Sequence, residues 1–257
     1  MRILLPPSEA KRPGGRGRPL ADRPSSGPLA ATRAALTDAL VRLLGGGCEA
    51  AAGALLLPPG AAPAALAANA AVRDAPTMPA LRRYAGVVYA ALDRDGLTPA
   101  ERRLAGSAVI VFSGLWGALR GDEPVPDYRV PAKAKLPGVG VVATAWRPVL
   151  AGALPGMLGD GLVVDLRSGD YGAMWRATGD LRERVVSVRV LSPLPGGGRG
   201  VVSFASKQAK GRLARTMITA AAQGRPPRQA ADVAEAWIAS GGRDAAHRGP
   251  GRLELHT

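Results

Sequence analysis

The chain has 257 residues, 47% of them hydrophobic, and a single cysteine, Cys48. This length and composition suffice for a full core in one large domain or two small ones. One cysteine excludes an internal disulfide framework and a two-cysteine redox couple. No apolar run is long enough for a membrane span, and the opening segment is too short for a signal peptide, so we expect a cytoplasmic protein.

Charge is the most unusual property of the composition. The 34 basic side chains outnumber the 20 acidic ones and leave a net charge of +14. Such an excess favours a polyanionic partner, namely DNA, RNA or a phosphorylated small molecule. Most of the basic residues are arginines, and several lie in Gly/Pro-rich segments typical of flexible loops. Arginine-rich gene composition would produce the same bias, so charge alone leaves nucleic-acid binding open.

In chain order, the first half alternates short strands with helices. Residues 3–5 form an apolar strand that ends at Pro6-Pro7, and residues 28–44 an amphipathic helix that Gly45-Gly46-Gly47 stops. Residues 62–70 are a weak alanine-rich helix. Residues 78–92 are predicted to form a stronger helix, with Leu81, Tyr84, Val88 and Leu92 on one apolar stripe. A strand over residues 107–112 runs into Ser113-Gly114.

The second half continues the alternation. Strands are predicted at residues 162–166, 185–191 and 201–204, and helices at 206–222 and 230–239. Residues 240–257 are expected to be a partly flexible tail, with a possible last strand at 253–255. The pattern predicts one α/β or mixed α+β domain over residues 1–257, with a mixed sheet flanked by helices.

Three predicted strands are followed by loops that carry polar side chains, which is where open α/β sheets usually bind ligands. The first loop brings Lys11, a candidate anion ligand, although it lacks the Walker A spacing. After the strand at 107–112 come Arg120, Tyr128 and Arg129. Arginine offers a planar fork for phosphate, and tyrosine can stack on a base. An ordinary loop with solvated charges explains the same pattern.

The loop after the strand at 162–166 carries Asp170 and Tyr171. Asp170 is a candidate general base or arginine partner. A turn-capping aspartate is the simpler alternative.

Helical periodicity adds a fourth candidate. At 100° per residue, Lys207 and Lys210 fall on the apolar face of the helix at 206–222, whereas Arg212 and Arg215 lie to its outer side. An inward lysine in the first turns of a helix either extends its amine to solvent or points into a cleft beside the N-terminal N–H groups. The pattern favours a buried anion site over the first alternative.

These segments, in this order, resemble the YaaA family of peroxide-stress proteins. The matching pieces are Leu5-Pro6-Pro7-Ser8-Glu9-Ala10-Lys11, Gly86-Val87-Val88-Tyr89, Ser113 through Arg120, Tyr128-Arg129, Asp170-Tyr171 and Ser203 through Gly211. The resemblance spans nearly the whole chain. It implies a cytosolic protein that limits intracellular iron under hydrogen peroxide and so spares DNA from damage.

The resemblance also implies a "cantaloupe" fold, a positively charged cleft and a DNA-binding helix-hairpin-helix element. That element would fall at residues 62–92, where Arg73, Arg82 and Arg83 are the cations available for phosphates. Arg215 is a further candidate DNA contact. The segment Gly121-Asp122-Glu123-Pro124 is more acidic than backbone binding alone would favour.

Three hypotheses therefore stay open. The first is a stress protein whose cleft binds double-stranded or distorted DNA, or a phosphate-bearing small molecule. The second is an enzyme with lyase- or transferase-like chemistry on a nucleotide or nucleic acid, with Lys207 or Lys210 as nucleophile and Asp170 as base. The third is a non-catalytic interaction protein. We predict no cofactor and no metal site, because His247 and His256 both lie near the C-terminus without a carboxylate cluster.

Overall fold

The computed structural model describes residues 1–22, 26–167 and 169–257. Within these ranges the α-helices are α1 (Ala30–Gly45), α2 (Cys48–Ala54), α3 (Ala62–Ala70), α4 (Ala80–Arg83), α5 (Val87–Leu92), α6 (Pro99–Ala108), α7 (Val142–Leu158), α8 (Gly169–Gly172), α9 (Ser203–Ala222) and α10 (Ala230–Ala239). Short 3₁₀ turns lie at Pro59–Ala61, Arg94–Gly96 and Gly179–Arg184.

The strands are β1 (Arg2–Leu5), β2 (Met78–Pro79), β3 (Val109–Ser113), β4 (Gly117–Arg120), β5 (Pro124–Val125), β6 (Lys135–Leu136), β7 (Gly140–Val141), β8 (Val163–Asp165), β9 (Val185–Pro193), β10 (Arg199–Gly200), β11 (Asp244–His247) and β12 (Arg252–His256). β2 pairs with β5 and β6 with β7 in two small ribbons outside the main sheet.

The main sheet has the strand order β11-β12-β9-β8-β1-β3-β4, with β10 paired to β9. The five central strands are parallel, and β4, β10 and β11 are antiparallel to their neighbours. Helix α9 packs on β9, α10 on β12, and α6 on β3 and β4. The prediction of a single α/β domain with a mixed sheet flanked by helices is therefore confirmed.

Strands β1 and β3 are apolar because they are covered on both faces, as is usual for the central strands of parallel sheets. All residues of β3 are buried, and Ile3, Leu4 and Leu5 of β1 are fully buried. Because β1 and its neighbours β3 and β8 run in the same direction, the sheet has an end where these strands start and an end where they finish. We call the end where the parallel strands finish the carboxyl edge, and the end where they start the amino edge.

The predicted helix over residues 78–92 is wrong. Pro79 lies in β2, and after the single turn of α4 the backbone becomes extended at Tyr84. Gly86 then adopts a positive φ of 118°, which an L-residue rarely takes, and α5 begins after it. The break lets residues 83–85 run beside the loop that follows β1, with Lys11 opposite Tyr84. Whether this region acts as a DNA-binding helix-hairpin-helix stays a prediction.

Residues 240–257, expected to be a partly flexible tail with a possible last strand at 253–255, contain the strands β11 and β12. β12 pairs in parallel with β9, and its Leu253 and Leu255 are buried. Gly249-Pro250-Gly251 lies between β11 and β12 in an antiparallel hairpin. Among the described residues no single helix is long and apolar enough to cross a membrane; only the bent combination of residues 48–54 and 59–70 meets those criteria, by length and composition.

Candidate functional site

The polar loops after β1, β3 and β8 lie side by side at the carboxyl edge. β1 is hydrogen-bonded to β3 on one side and to β8 on the other, both in parallel. The chain leaves β1 toward β3, whereas it leaves β8 toward β9. Connections that diverge from neighbouring strands open a crevice at their carboxyl ends, which is the usual ligand position in open α/β sheets. Lys11, Ser113 and Arg167 lie close behind these three strand ends.

Lys11 lies at the centre of this arrangement. Its Nζ is 4.5 Å from the ring centroid of Tyr128 and 5.6 Å from that of Tyr84. Its hydrogen bond in the described structure is a long one, 3.5 Å to the carbonyl oxygen of Glu9. Burial lowers the pKa of Lys11 to about 8, with the positive charges of Arg129 and Arg83 adding to the effect and the carboxylates of Asp127 and Glu9 opposing it.

All four tyrosines of the chain meet at this edge. The Tyr84 and Tyr128 hydroxyls are 2.5 Å apart, and the Tyr84 and Tyr89 rings stack with centroids 5.3 Å apart. Burial raises the pKa values of Tyr84, Tyr89 and Tyr128 above the ordinary tyrosine range. Burial also raises the pKa of the half-buried Tyr171 to about 12, so all four hydroxyls are neutral at physiological pH. We call these tyrosines and Lys11 the lysine–tyrosine cluster.

Ser113 ties the lysine–tyrosine cluster to β3. Its Oγ is 2.6 Å from the Tyr128 hydroxyl and accepts a hydrogen bond of 2.9 Å from the Trp116 backbone N–H. Trp116 meets the Tyr128 ring edge-on, with centroids 5.8 Å apart. The Ser-Gly-Leu-Trp loop thus holds Tyr128 by both its hydroxyl and its ring.

Arg129 follows Tyr128 and is held by its backbone. The buried Asn69 accepts from the Arg129 N–H at 2.8 Å and donates to the Arg129 carbonyl at 3.0 Å. One guanidinium nitrogen pairs with Glu9, while the buried Nε has no hydrogen-bond partner in the described part of the chain. This backbone clamp places a strong cation beside Lys11 without using all of its donors.

Beside the crevice, Arg167 and Asp165 form a buried ion pair. The Arg167 Nε and Nη2 donate to the two Asp165 oxygens at 2.9 and 2.7 Å, and the guanidinium lies 4.2 Å from the Phe112 ring centroid. Lys210 of α9 donates to the Arg167 carbonyl at 3.2 Å. Burial lowers the pKa of Lys210, and Asp165 opposes that shift.

Six of the predicted site residues lie at the carboxyl edge. They are Lys11, Tyr128, Arg129, Asp170, Tyr171 and Lys210. Asp170 is exposed and pairs with Lys133 at 2.8 Å, so its described partner is a lysine rather than an arginine. Arg82 is exposed on α4.

Four predicted positions need correction. Arg120 ends β4, which runs antiparallel to β3 and carries it back opposite Ile110, toward the amino edge. At that edge, burial lowers the pKa of Arg2, and the nearby charge of Arg120 adds to the shift. Lys207 is exposed, because Ser206 takes the inward position on that turn of α9.

Arg83 and Arg215 are structural clamps. Arg83 is fully buried and donates to the carbonyls of Arg12, Pro76 and Val125 at 2.5, 2.8 and 3.2 Å. Arg215 donates to Leu92, Asp93 and Gly96. Neither guanidinium is available to a phosphate in this conformation.

Sequence reasoning missed several members of the site. Tyr84 and Tyr89 were assigned to an apolar helix stripe or a family motif, and Glu9, Ser113, Asp165 and Arg167 were not singled out individually. Two surface grooves lie elsewhere: one of about 590 Å³ is lined in part by Arg33, Trp116 and Glu123, and one of about 530 Å³ lies at the amino edge. Neither brings together as many titratable groups as the carboxyl edge.

Comparison with known proteins identifies the family. A family model described as peroxide stress protein YaaA matches residues 1–234. A UPF0246 protein of Streptomyces coelicolor is 42% identical over 237 residues, covering 92% of this chain and 88% of the relative. A UPF0246 protein of Corynebacterium efficiens is 40% identical over 240 residues, covering 91% of each chain. The chain therefore belongs to the YaaA family of peroxide stress proteins.

Proposed function

We propose that this protein acts in the cytoplasm under peroxide stress by binding the phosphates of double-stranded or distorted DNA at the carboxyl edge. A phosphate-bearing small molecule is the alternative ligand of the same site. Limitation of intracellular iron is, in this proposal, an indirect consequence. His247 and His256 both lie in the β11–β12 hairpin, and His256 faces the Asp244 carboxylate at 3.3 Å.

One observation carries the proposal. In the described structure Lys11 has no carboxylate within the 4.0 Å of an ion pair, although Arg129 and Arg83 raise the local positive potential around it. A bound phosphate would supply the missing negative charge. Phosphate contacts of this kind dominate the affinity of proteins for DNA.

Three further cations are candidate phosphate contacts. Lys210 points inward beside Arg167, and Lys133 pairs with Asp170. Arg82 offers an exposed contact on α4. Tyr171 is the most accessible of the four tyrosines, so it is the ring on which a displaced base would stack, whereas Tyr128 is buried.

Fluorescence anisotropy with a labelled duplex, a bubbled duplex and a free nucleotide tests the proposal. Wild-type affinity should fall with salt, with a log–log slope of roughly −0.9 for each phosphate neutralised. Arg129→Ala should weaken DNA binding about 10-fold and reduce the magnitude of the slope by about 1. Arg120→Ala is the matched control at the amino edge and should leave affinity within about 2-fold.

Three results would contradict the proposal: no DNA binding, binding that does not change with salt, or equal effects of the two arginine variants. Selective binding of the free nucleotide would support the small-molecule alternative. Circular dichroism and thermal melting of Arg129→Ala separate a lost contact from lost folding.

A further inference from the structure

Lys11 has a combination of surroundings that a simple phosphate ligand does not require. The chain has five lysines and 29 arginines, so arginine supplies most of its positive charge. Lys11 nevertheless presents its primary amine to the faces of two tyrosine rings at the end of β1. We propose that Lys11 is a nucleophile that forms a Schiff base with the aldehyde of a phosphorylated sugar.

The geometry leaves the amine both poorly hydrated and lightly hydrogen-bonded. Aromatic faces approach it at 4.5 and 5.6 Å, and its one described hydrogen bond is 3.5 Å long. Once the amine is deprotonated, this weak hydrogen bonding leaves its lone pair available for attack on a carbonyl carbon. The residue as a whole is half-buried rather than fully enclosed.

Neighbouring cations add to this effect. Desolvation beside other positive charges is an established way of activating a lysine amine. With a pKa of about 8, roughly one molecule in ten carries the free amine at pH 7, against fewer than about one in a thousand for an ordinary lysine. The nucleophilic form is therefore well populated under physiological conditions.

The reaction is balanced without an oxidant or reductant. The Lys11 nitrogen adds to the aldehyde carbon, forming a C–N bond, and one amine proton passes to the carbonyl oxygen, which becomes a hydroxyl group. The hydroxyl then takes one proton from solvent and leaves as water as the C–O bond breaks, and the nitrogen, which keeps its remaining proton, becomes a protonated imine. Hydrolysis reverses the same steps.

Arg129 gives the reason for a phosphorylated substrate. Within the described part of the chain its Nε is buried without a hydrogen-bond partner, and its charge acts on Lys11. A guanidinium matches phosphate geometry closely. An aldehyde and a phosphate on one sugar occur both in free 2-deoxyribose 5-phosphate and at an abasic site in DNA, so the chemistry is shared by two sources.

Reductive trapping tests the inference. Full-length protein is incubated with 2-deoxyribose 5-phosphate and cyanoborohydride, and the modified peptide is identified by mass spectrometry. We expect one adduct per chain on Lys11, a rate that rises with a midpoint near pH 8, and at least a 10-fold preference over unphosphorylated 2-deoxyribose. Lys11→Arg should lose the adduct, and Lys135→Arg should retain it.

A second arm uses a duplex with one abasic site. Trapping only on this duplex assigns the substrate to DNA, and trapping only on the free sugar assigns it to a small molecule; both support the inference. Modification spread over Lys133, Lys135 and Lys207, or an unmodified Lys11 in the folded wild type, would overturn it. Because mapping uses wild-type protein, misfolding of a variant cannot mask the answer.

This inference goes beyond the proposed DNA binding and can fail separately. Salt-dependent DNA binding without any adduct would refute the Schiff base alone. An adduct with the free sugar phosphate in a protein that binds no DNA would refute the proposed function alone.

Discussion

The two ends of the main sheet use their cations in different ways. At the amino edge, Arg2 donates to the Met157 carbonyl at 3.2 Å and Arg184 to the Gly159 carbonyl at 2.6 Å, so both guanidiniums hold the end of α7 and the turn after it in place. At the carboxyl edge, Lys11 has a single long hydrogen bond and the Nε of Arg129 has no partner in the described residues. The two arginines at the amino edge therefore stabilise the fold, whereas Lys11 and Arg129 at the carboxyl edge keep donors that make weak or no hydrogen bonds within the described residues.

The largest expected difference between the edges concerns two aspartates at opposite ends of β8. Asp165→Ala leaves the Arg167 charge, which is 3% exposed, without its partner. Breaking a buried ion pair in this way should lower the free energy of unfolding by about 3–5 kcal/mol. Asp160→Ala, at the exposed amino end, should change it by less than about 0.5 kcal/mol. Urea denaturation of both variants measures the difference, and equal losses would contradict it.

A smaller effect is expected where the carboxyl-edge loops touch. A Cβ at Gly114 would lie 2.1 Å from the Val130 carbonyl oxygen, in the segment that carries Arg129. Gly114→Ala should therefore cost about 2–3 kcal/mol of stability. Gly152→Ala is the control, because that helical position is open and should gain about 0.5–1 kcal/mol. A Gly114→Ala protein as stable as wild type would show that the two loops can separate freely.

The smallest expected effect is a gain in stability, in contrast to the losses expected for Asp165→Ala and Gly114→Ala. Burial lowers the pKa of Lys11 from 10.5 to about 8, so the unfolded chain binds more protons than the native state between these pH values. Native stability gains from this group as pH rises through that window, and the full penalty applies below pH 8. Because the side chain is half-buried and contacts two rings, we expect Lys11→Met to be about 1–2 kcal/mol more stable than wild type at pH 7.

The stability gain of Lys11→Met should shrink by pH 9.5, as measured by denaturation at both pH values. The exposed Lys133 provides the comparison: Lys133→Met should shift stability by no more than about 0.5 kcal/mol at either pH. A constant gain for Lys11→Met across the window would mean that ordinary packing, not the buried charge, causes it.

The rule that ligands bind beyond the ends of parallel strands predicted much of the arrangement. Lys11 and Tyr128-Arg129 follow apolar strands, and the structure brings them together. The rule failed for Arg120, because a sequence does not show that the chain reverses at once into β4. Whether the chain turns back beside the strand that it has just left is decided by the pairing in the folded sheet, and here β4 pairs with β3.

Two further features could not be predicted accurately from the sequence: which residues of a helix face inward, and whether a helix is continuous. Lys210 is inward as predicted, but Lys207 is exposed, since a few apolar residues fix the buried face only to within about one position. The continuous apolar stripe at residues 78–92 hid a break that tertiary pairing with the Lys11 loop favours. That pairing is what turns Tyr84 from an expected stripe residue into a member of the lysine–tyrosine cluster.

The central position of β1 has a consequence for how the molecule reaches its native state. Ile3 pairs with Val109 on one side and with Val164 on the other, so both partners lie more than 100 residues away in sequence. Such a high contact order makes folding slow, because long loops must close before any sheet hydrogen bond of β1 forms. During synthesis its apolar Ile-Leu-Leu segment has no strand partner until β3 has been made, and an unpaired apolar strand of this kind is prone to aggregation.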